Sequence, residues 1–479
     1  MPLCRPLVWL TALACWAAAD TIVLKNGRRI LAEKVIESER GVTYETAEGV
    51  VTLPRSIVDH VDRDGAMPPV SSGPGTGQPG TTASTRPAVR VPSLAGPAPP
   101  ERVIVDGQVD RRYLEDLARQ PALSPAGRET MVASFLSAVE FEIGHGRLSA
   151  ALELAKRGVD AAPGDPRLLL GQAVVLIQQR ELRQAREVLL RARTLAPNSA
   201  EVLKFLGFVE YSSDRVEEAI KTWKRAQTLA PNAEVQQLLE RAERETAAEE
   251  RFQEASSVHF TLRFEGRQIT TDFREQILDT LEELYRQQER DLEVSPREPI
   301  LVILYTSQAF YDVTQAPSWT GALNDGKIRV PLEGLETMTP ALRSVLAHEM
   351  VHTFVRYRSR GRCPAWLNEG LAQLGEGRSS TRFAARLLDL YQKAALLPLA
   401  SLNESYSGLD QRLVPAAYAQ SLAVVEMLRD REGLPSLGRL LDRLAGGESV
   451  GAALRAVFGL SLAEVEEQLG AFLQRKAGS

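Results

Sequence analysis

Two histidines four residues apart, His348 and His352, spell H-E-M-V-H with Glu349 beside the first, in a chain that holds five histidines. On a helix, residues four apart lie one above the other, so both imidazoles face the same point. That spacing suits a zinc ion held at about 2.0–2.1 Å from each nitrogen. Glu349, one step around, can reach a water on such an ion without binding the ion, and is placed to take its proton. A third ligand is expected on a following helix, and the stretch CPAWLNEGLAQLGEG supplies Glu369, 17 positions after His352. The competing reading is a surface helix with two solvated histidines. Leu342, Val345, Leu346, Val351 and Val355 oppose it, because they make the helix largely buried, and buried histidines need partners.

HEMVH followed by WLNEGLA resembles the gluzincin zinc peptidases, the peptidase MA-like group, and is similar to the signature of zinc aminopeptidases. The resemblance implies His348, His352 and Glu369 as zinc ligands and Glu349 as general base. It also implies Glu376, seven residues past Glu369, as an acid steadying a ligand histidine; an exposed acid beside a glycine turn explains Glu376 equally well. Upstream, GALND (321–325) lies where aminopeptidases carry a G-x-M-E-N segment on an edge strand that binds extended substrate. Asn324 stands where that family's glutamate grips a free amino terminus, which disfavours an aminopeptidase and favours an endopeptidase. LVPAAYAQSLAVVEML resembles a tyrosine-containing helix of peptidase MA-like domains, which makes Tyr418 the candidate oxyanion donor. Plain packing is the alternative for Tyr418, and Tyr406 competes for the role.

The elements that must position these groups begin with the helix itself. Thr339-Pro340 is a good start, a hydroxyl cap followed by a proline whose missing N–H costs nothing there, and Gly361 and Pro364 are the stop. Residues 257–479 read as an α+β zincin-like domain, with strands at HFTLRF and PILVILY, an edge strand at KIRVPL, and closing helices after Tyr418. Residues 127–247 carry Pro163, Pro197 and Pro231, and Ala151, Ala185 and Ala219, both sets at steps of 34. This resembles the tetratricopeptide repeat, a helical solenoid. The aromatic position is kept by Trp223, while earlier units use Leu189 and Ala155. The charged stretch ERAERETAAEERFQEA reads as a helix leading out, and 102–126 as a connecting segment. Residues 65–101 collect nine of the chain's 27 prolines among Gly, Ser and Thr, the composition of a flexible linker. Residues 20–64 alternate β-branched and polar residues with breaks at Asn26-Gly27 and Glu48-Gly49, which predicts a small all-β module.

The first 19 residues have the order of a cleavable signal peptide: Arg5, an apolar run, then Ala17 and Ala19. They predict export to the periplasm or the medium, with a lipoprotein through Cys15 as the weaker reading. Cleavage leaves Cys363 alone, so no intramolecular disulfide is expected. No later segment is long enough to span a bilayer. A net charge of -5 without a long basic run argues against nucleic acid. Together these features point to an exported zinc metallopeptidase that hydrolyses peptides or proteins, with repeats that bind a partner or substrate. The alternative from another class is a non-catalytic zinc-binding scaffold whose repeats bind a protein. A purely structural zinc site is disfavoured, because such sites close with four ligands and lean on cysteine. His60, His145 and His259 stand alone in sequence and read as structural or solvated.

Overall fold

In the computed structural model, residues 20–62 are described apart from 25–28, 33–34, 39–40, 47–48 and 56–57. So are residues 102–478 apart from 121–123, 267–268, 316–321, 333, 405, 407–408 and 411. The expected signal peptide, the linker and Gly321 of the GALND segment lie outside the described residues. The chain divides into two compact units, 1–77 and 78–479.

The first unit holds β1 (Asp20–Leu24), β2 (Arg29–Ala32), β3 (Val35–Ser38), β4 (Gly41–Thr46), β5 (Gly49–Pro54) and β6 (Val58–Asp62). They form two three-stranded sheets, β2-β1-β6 and β3-β4-β5. Ile22, Val35, Val42 and Val58 make its small core. Alternation along each strand puts these residues on one face.

The second unit opens with a hairpin, β7 (Ile104–Val105) and β8 (Gln108–Val109), and helix α1 (Arg111–Ala118). This stretch is more than the connector expected, because Val103, Leu114 and Leu117 are buried in the same core as the helices that follow. Those are α2 (Pro125–Gly144), α3 (Leu148–Ala161), α4 (Pro166–Gln178), α5 (Leu182–Leu195), α6 (Ala200–Ser212), α7 (Val216–Leu229) and α8 (Ala233–Glu249). Helices α3, α5 and α7 begin at steps of 34, and Ala151, Ala185 and Ala219 are fully buried where neighbouring helices approach. The side chain at each of these points must be small for the stack to close.

The remainder builds a mixed sheet and a helical layer. Its strands are β9 (Phe252–Ser256), β10 (Phe260–Glu265), β11 (Ile300–Thr306), β12 (Leu323–Asn324) and β13 (Ile328–Leu332), in the order β12-β13-β11-β10-β9. Helices α9 (Thr271–Leu292) and α10 (Ser307–Thr314) interleave with the strands. Then come α11 (Pro340–Arg358), α12 (Ala365–Gly375), α13 (Thr381–Gln392), α14 (Val414–Glu432), α15 (Leu434–Ala445), α16 (Val450–Phe458) and α17 (Leu462–Ala477). Two expectations are corrected. Phe252–Ser256 is a strand, not a helix: it pairs antiparallel with β10, which satisfies its backbone while its charges stay outside, so the sheet starts before residue 257. KIRVPL is not the edge, because β13 pairs with β11 on one side and the two-residue β12 on the other. No helix among the described residues is long and apolar enough to cross a membrane.

Candidate active site

Helix α11 begins as its sequence demands. The Thr339 hydroxyl accepts the Leu342 N–H at 3.1 Å, and Pro340 takes the first position. It ends where Arg360 and Gly361 take positive φ, 52° and 75°. Leu346, Met350, Phe354 and Val355 are fully buried, each contributing about 1.5–3 kcal/mol relative to exposure. That apolar hold is what keeps His348, Glu349 and His352 out of water, at 1%, 0% and 2% exposure.

Helix α12 delivers Glu369 by close approach. A β-carbon on Gly370 would lie 2.5 Å from the Ser421 carbonyl oxygen of α14, and one on Gly375 would lie 2.4 Å from Cγ2 of Val351 on α11. Only glycine at these two places lets α12 lie between its neighbours. Gln373 then ties the seam, donating to the Tyr418 carbonyl at 2.9 Å and to that of Glu369 at 3.2 Å.

The result is convergence. Oε2 of Glu369 lies 3.6 Å from Nε2 of His348 and 3.7 Å from Nε2 of His352. One ligand atom from each of the three residues falls within 4.8 Å of the others. These separations exceed a normal N–H···O bond. They are close to the edge of about 3.4 Å that a tetrahedral ion with ligands at 2.0–2.1 Å requires. Neither Nε2 has a hydrogen-bond partner although both are buried, and the same holds for both oxygens of Glu349. Buried atoms of this kind are costly unless something else contacts them, so the residues fit a divalent cation.

Charge supports that fit. Burial works against protonation of His348, yet Glu369 and Glu376 outweigh it and lift the imidazole to about 10. His352 is pushed down to about 4, chiefly by burial. The pocket thus favours a proton on His348 and disfavours one on His352, whose ring stays neutral with a lone pair to offer. Burial, reinforced by the charges of Glu369 and Glu376 and opposed by His348, raises Glu349 to about 8. A carboxylate so raised is a better base than a solvated one.

Glu376 faces inward, not to solvent. It bonds Nδ1 of His348, accepts from Ser344 at 2.9 Å, and pairs with Arg378 at 2.7 Å. With Nδ1 so engaged, Nε2 of His348 is the nitrogen left toward Glu369. Tyr418 is partly buried on α14, where burial and then the charges of Glu369, Tyr406 and Glu349 hold its phenol well above the usual range. It therefore keeps its proton. Tyr406 is engaged elsewhere, 2.6 Å from the Ser421 hydroxyl, with its ring against that of Tyr418.

Asn324 differs from its expected place toward substrate. It is buried, and its amide nitrogen donates to the Glu349 carbonyl and the Thr353 hydroxyl, both at 2.8 Å. Its side-chain oxygen accepts from Gly326 at 3.2 Å, and Arg356 donates to its backbone carbonyl at 2.8 Å. Asn324 thus pins β12 to the histidine helix. Thr353, next to His352, and Arg356, one turn after it, were not singled out in the sequence. A polar residue at the inward side of an apolar helix was the available signal. His145 bonds the Phe141 carbonyl at 2.8 Å, and His259 bonds Glu282 at 2.7 Å, both away from the site; His60 lies on β6.

The model of the Peptidase MA superfamily matches residues 282–475, and that of the tetratricopeptide repeat matches residues 142–206. Among solved structures, the first tetratricopeptide domain of Spaghetti (RPAP3) bound to the HSP90 peptide SRMEEVD is 21% identical. The alignment covers 23% of this chain and 89% of that chain, with a TM-score of 0.23. The first tetratricopeptide domain of human RPAP3, solved by NMR, is 22% identical, with 24% and 91% covered and a TM-score of 0.23. No curated protein matches the sequence.

Proposed function

We propose that the Peptidase MA superfamily domain of this chain works as a zinc-dependent endopeptidase, exported by its N-terminal signal peptide and served by repeats that bind a substrate or partner protein. The observation that carries the reading is the convergence of His348, His352 and Glu369 within 4.8 Å, with the unbonded carboxylate of Glu349 beside them. These three residues would hold the zinc ion, which supplies Lewis acidity toward a peptide carbonyl and lowers the pKa of water.

The chain's own groups do the rest. Glu349 takes a proton from the attacking water and returns it to the departing amine. Tyr418, kept as a phenol, donates to the oxygen on which negative charge develops. Glu376 fixes the ring of His348 and so the nitrogen that faces the ion. On β12 the amide of Asn324 is consumed by α11, leaving no carboxylate at that position to grip a free amino terminus, which favours cleavage within a chain.

The test compares the purified mature protein with Glu349→Gln for zinc content and for cleavage of a mixed peptide library. About one zinc per chain in both, with cleavage by the wild type only, is the expected result. Zinc in both with neither cleaving would replace the peptidase by the scaffold. A wild type without zinc would remove the metal reading altogether.

A further inference from the structure

The repeats meet the peptidase domain through a buried cluster of charge that the catalytic reading does not use. Glu245, on the last repeat helix α8, is 1% exposed and accepts from Arg329 of β13 at 3.0 Å; Arg329 is 0% exposed. Lys327 bonds the other oxygen of Glu245, and the Tyr211 hydroxyl of α6 donates to the first at 2.6 Å. Burial opposes the charge of Glu245, but Arg329 and Lys327 outweigh it and hold the carboxyl well below the usual range. One helical turn earlier on α8, Arg241 bonds Asp325.

The grip falls on a short segment. Asp325, Lys327 and Arg329 belong to the turn between β12 and β13 and to the strand after it. The residue just before them, Asn324, is the one bonded to the backbone carbonyl of Glu349. Contacts therefore run from α8 of the repeats, through the segment 324–329, to the main chain of the proposed base. A buried ion pair often adds less to stability than apolar packing of the same volume, and its best-attested use is to set register. Such a joint is better suited to setting position than to adding strength.

Resting on the endopeptidase reading, we propose that Glu245 is a positioning residue for peptide hydrolysis: the repeat stack sets the place of β12 relative to Glu349 by gripping Asp325, Lys327 and Arg329. The repeats are then part of the active site's framework and not only a docking arm.

The experiment uses the full mature chain with Glu245→Gln, and with Leu189→Ala as a control that lowers stability within the repeat core and touches neither joint nor site. Amide hydrogen exchange is followed in Leu323–Leu332, together with zinc content and peptide kinetics. In Glu245→Gln the amides of this segment exchange about tenfold faster, zinc stays at about one per chain, and kcat/KM falls about tenfold to a hundredfold. Leu189→Ala shows neither change. Equal exchange of the segment in the two variants overturns the proposal, as does activity lost only in step with zinc. Should the wild type cleave no peptide, the endopeptidase reading fails by itself, and the exchange arm still decides whether α8 sets the strand.

Discussion

Two clusters of buried and part-buried charge lie in the same unit, and they are built by opposite rules. At the joint, Glu245, Glu249, Asp214 and Asp325 meet Arg329, Lys327, Arg241 and Arg263, and each acid has a base within 4.0 Å. At the site, Glu349, Glu369 and Glu376 crowd two imidazoles, and both Glu349 oxygens and both Nε2 atoms lack hydrogen-bond partners. At the joint every acid is matched by a base, although Nε of Arg329 lacks a hydrogen-bond partner; at the site the unmatched atoms are those of a carboxylate and two imidazoles. Structural ionic clusters are balanced because an unpaired buried charge is destabilising; a site that binds an ion must leave its donors unanswered by the protein.

The contrast assigns different losses to the two clusters. The largest expected effect is at the site: Glu349→Gln lowers kcat by about 100- to 10,000-fold while the melting temperature holds or rises, since an uncompensated carboxyl is removed. Kinetics and calorimetry on the same sample check both halves, and a variant that both unfolds and loses activity would erase the distinction. At the joint, Glu245→Ala leaves Arg329 and Lys327 without their shared partner and costs about 3–5 kcal/mol in denaturant unfolding. A loss under 1 kcal/mol there would mean water or the neighbouring acids make good the charge. Tyr418→Phe comes next, with kcat reduced about 100- to 1,000-fold at unchanged zinc content; unchanged kcat would return Tyr418 to plain packing. Smallest is Glu376→Gln, which weakens zinc about 10- to 100-fold in a chelator competition and leaves unfolding nearly unaltered once zinc is saturating.

How far the sequence carried these features depends on how local they are. The cap at Thr339, the stop at Gly361 and the four-residue histidine spacing lie within one helix, where periodicity alone places side chains. The 34-residue step was equally legible, since each repeat contacts only its neighbours. Glu369 required knowing that α12 folds back on α11, which Gly370 and Gly375 permit but do not announce. The joint was illegible for the same reason: Glu245 and Arg329 are 84 residues apart, and no local pattern pairs them. One local sign of it exists. KIRVPL sets Lys327 and Arg329 in an otherwise apolar strand, which makes sense only if buried acids face them. Asn324 was placed by likeness to relatives, and likeness does not report which way a side chain turns.

Whether three side chains share one metal ion is decided by anomalous diffraction at the zinc edge on crystals of the mature protein. A single strong peak is expected at about 2.0–2.1 Å from Nε2 of His348 and of His352 and bonded to the carboxylate of Glu369. No peak there, or one completed by a fourth protein side chain, would contradict that expectation.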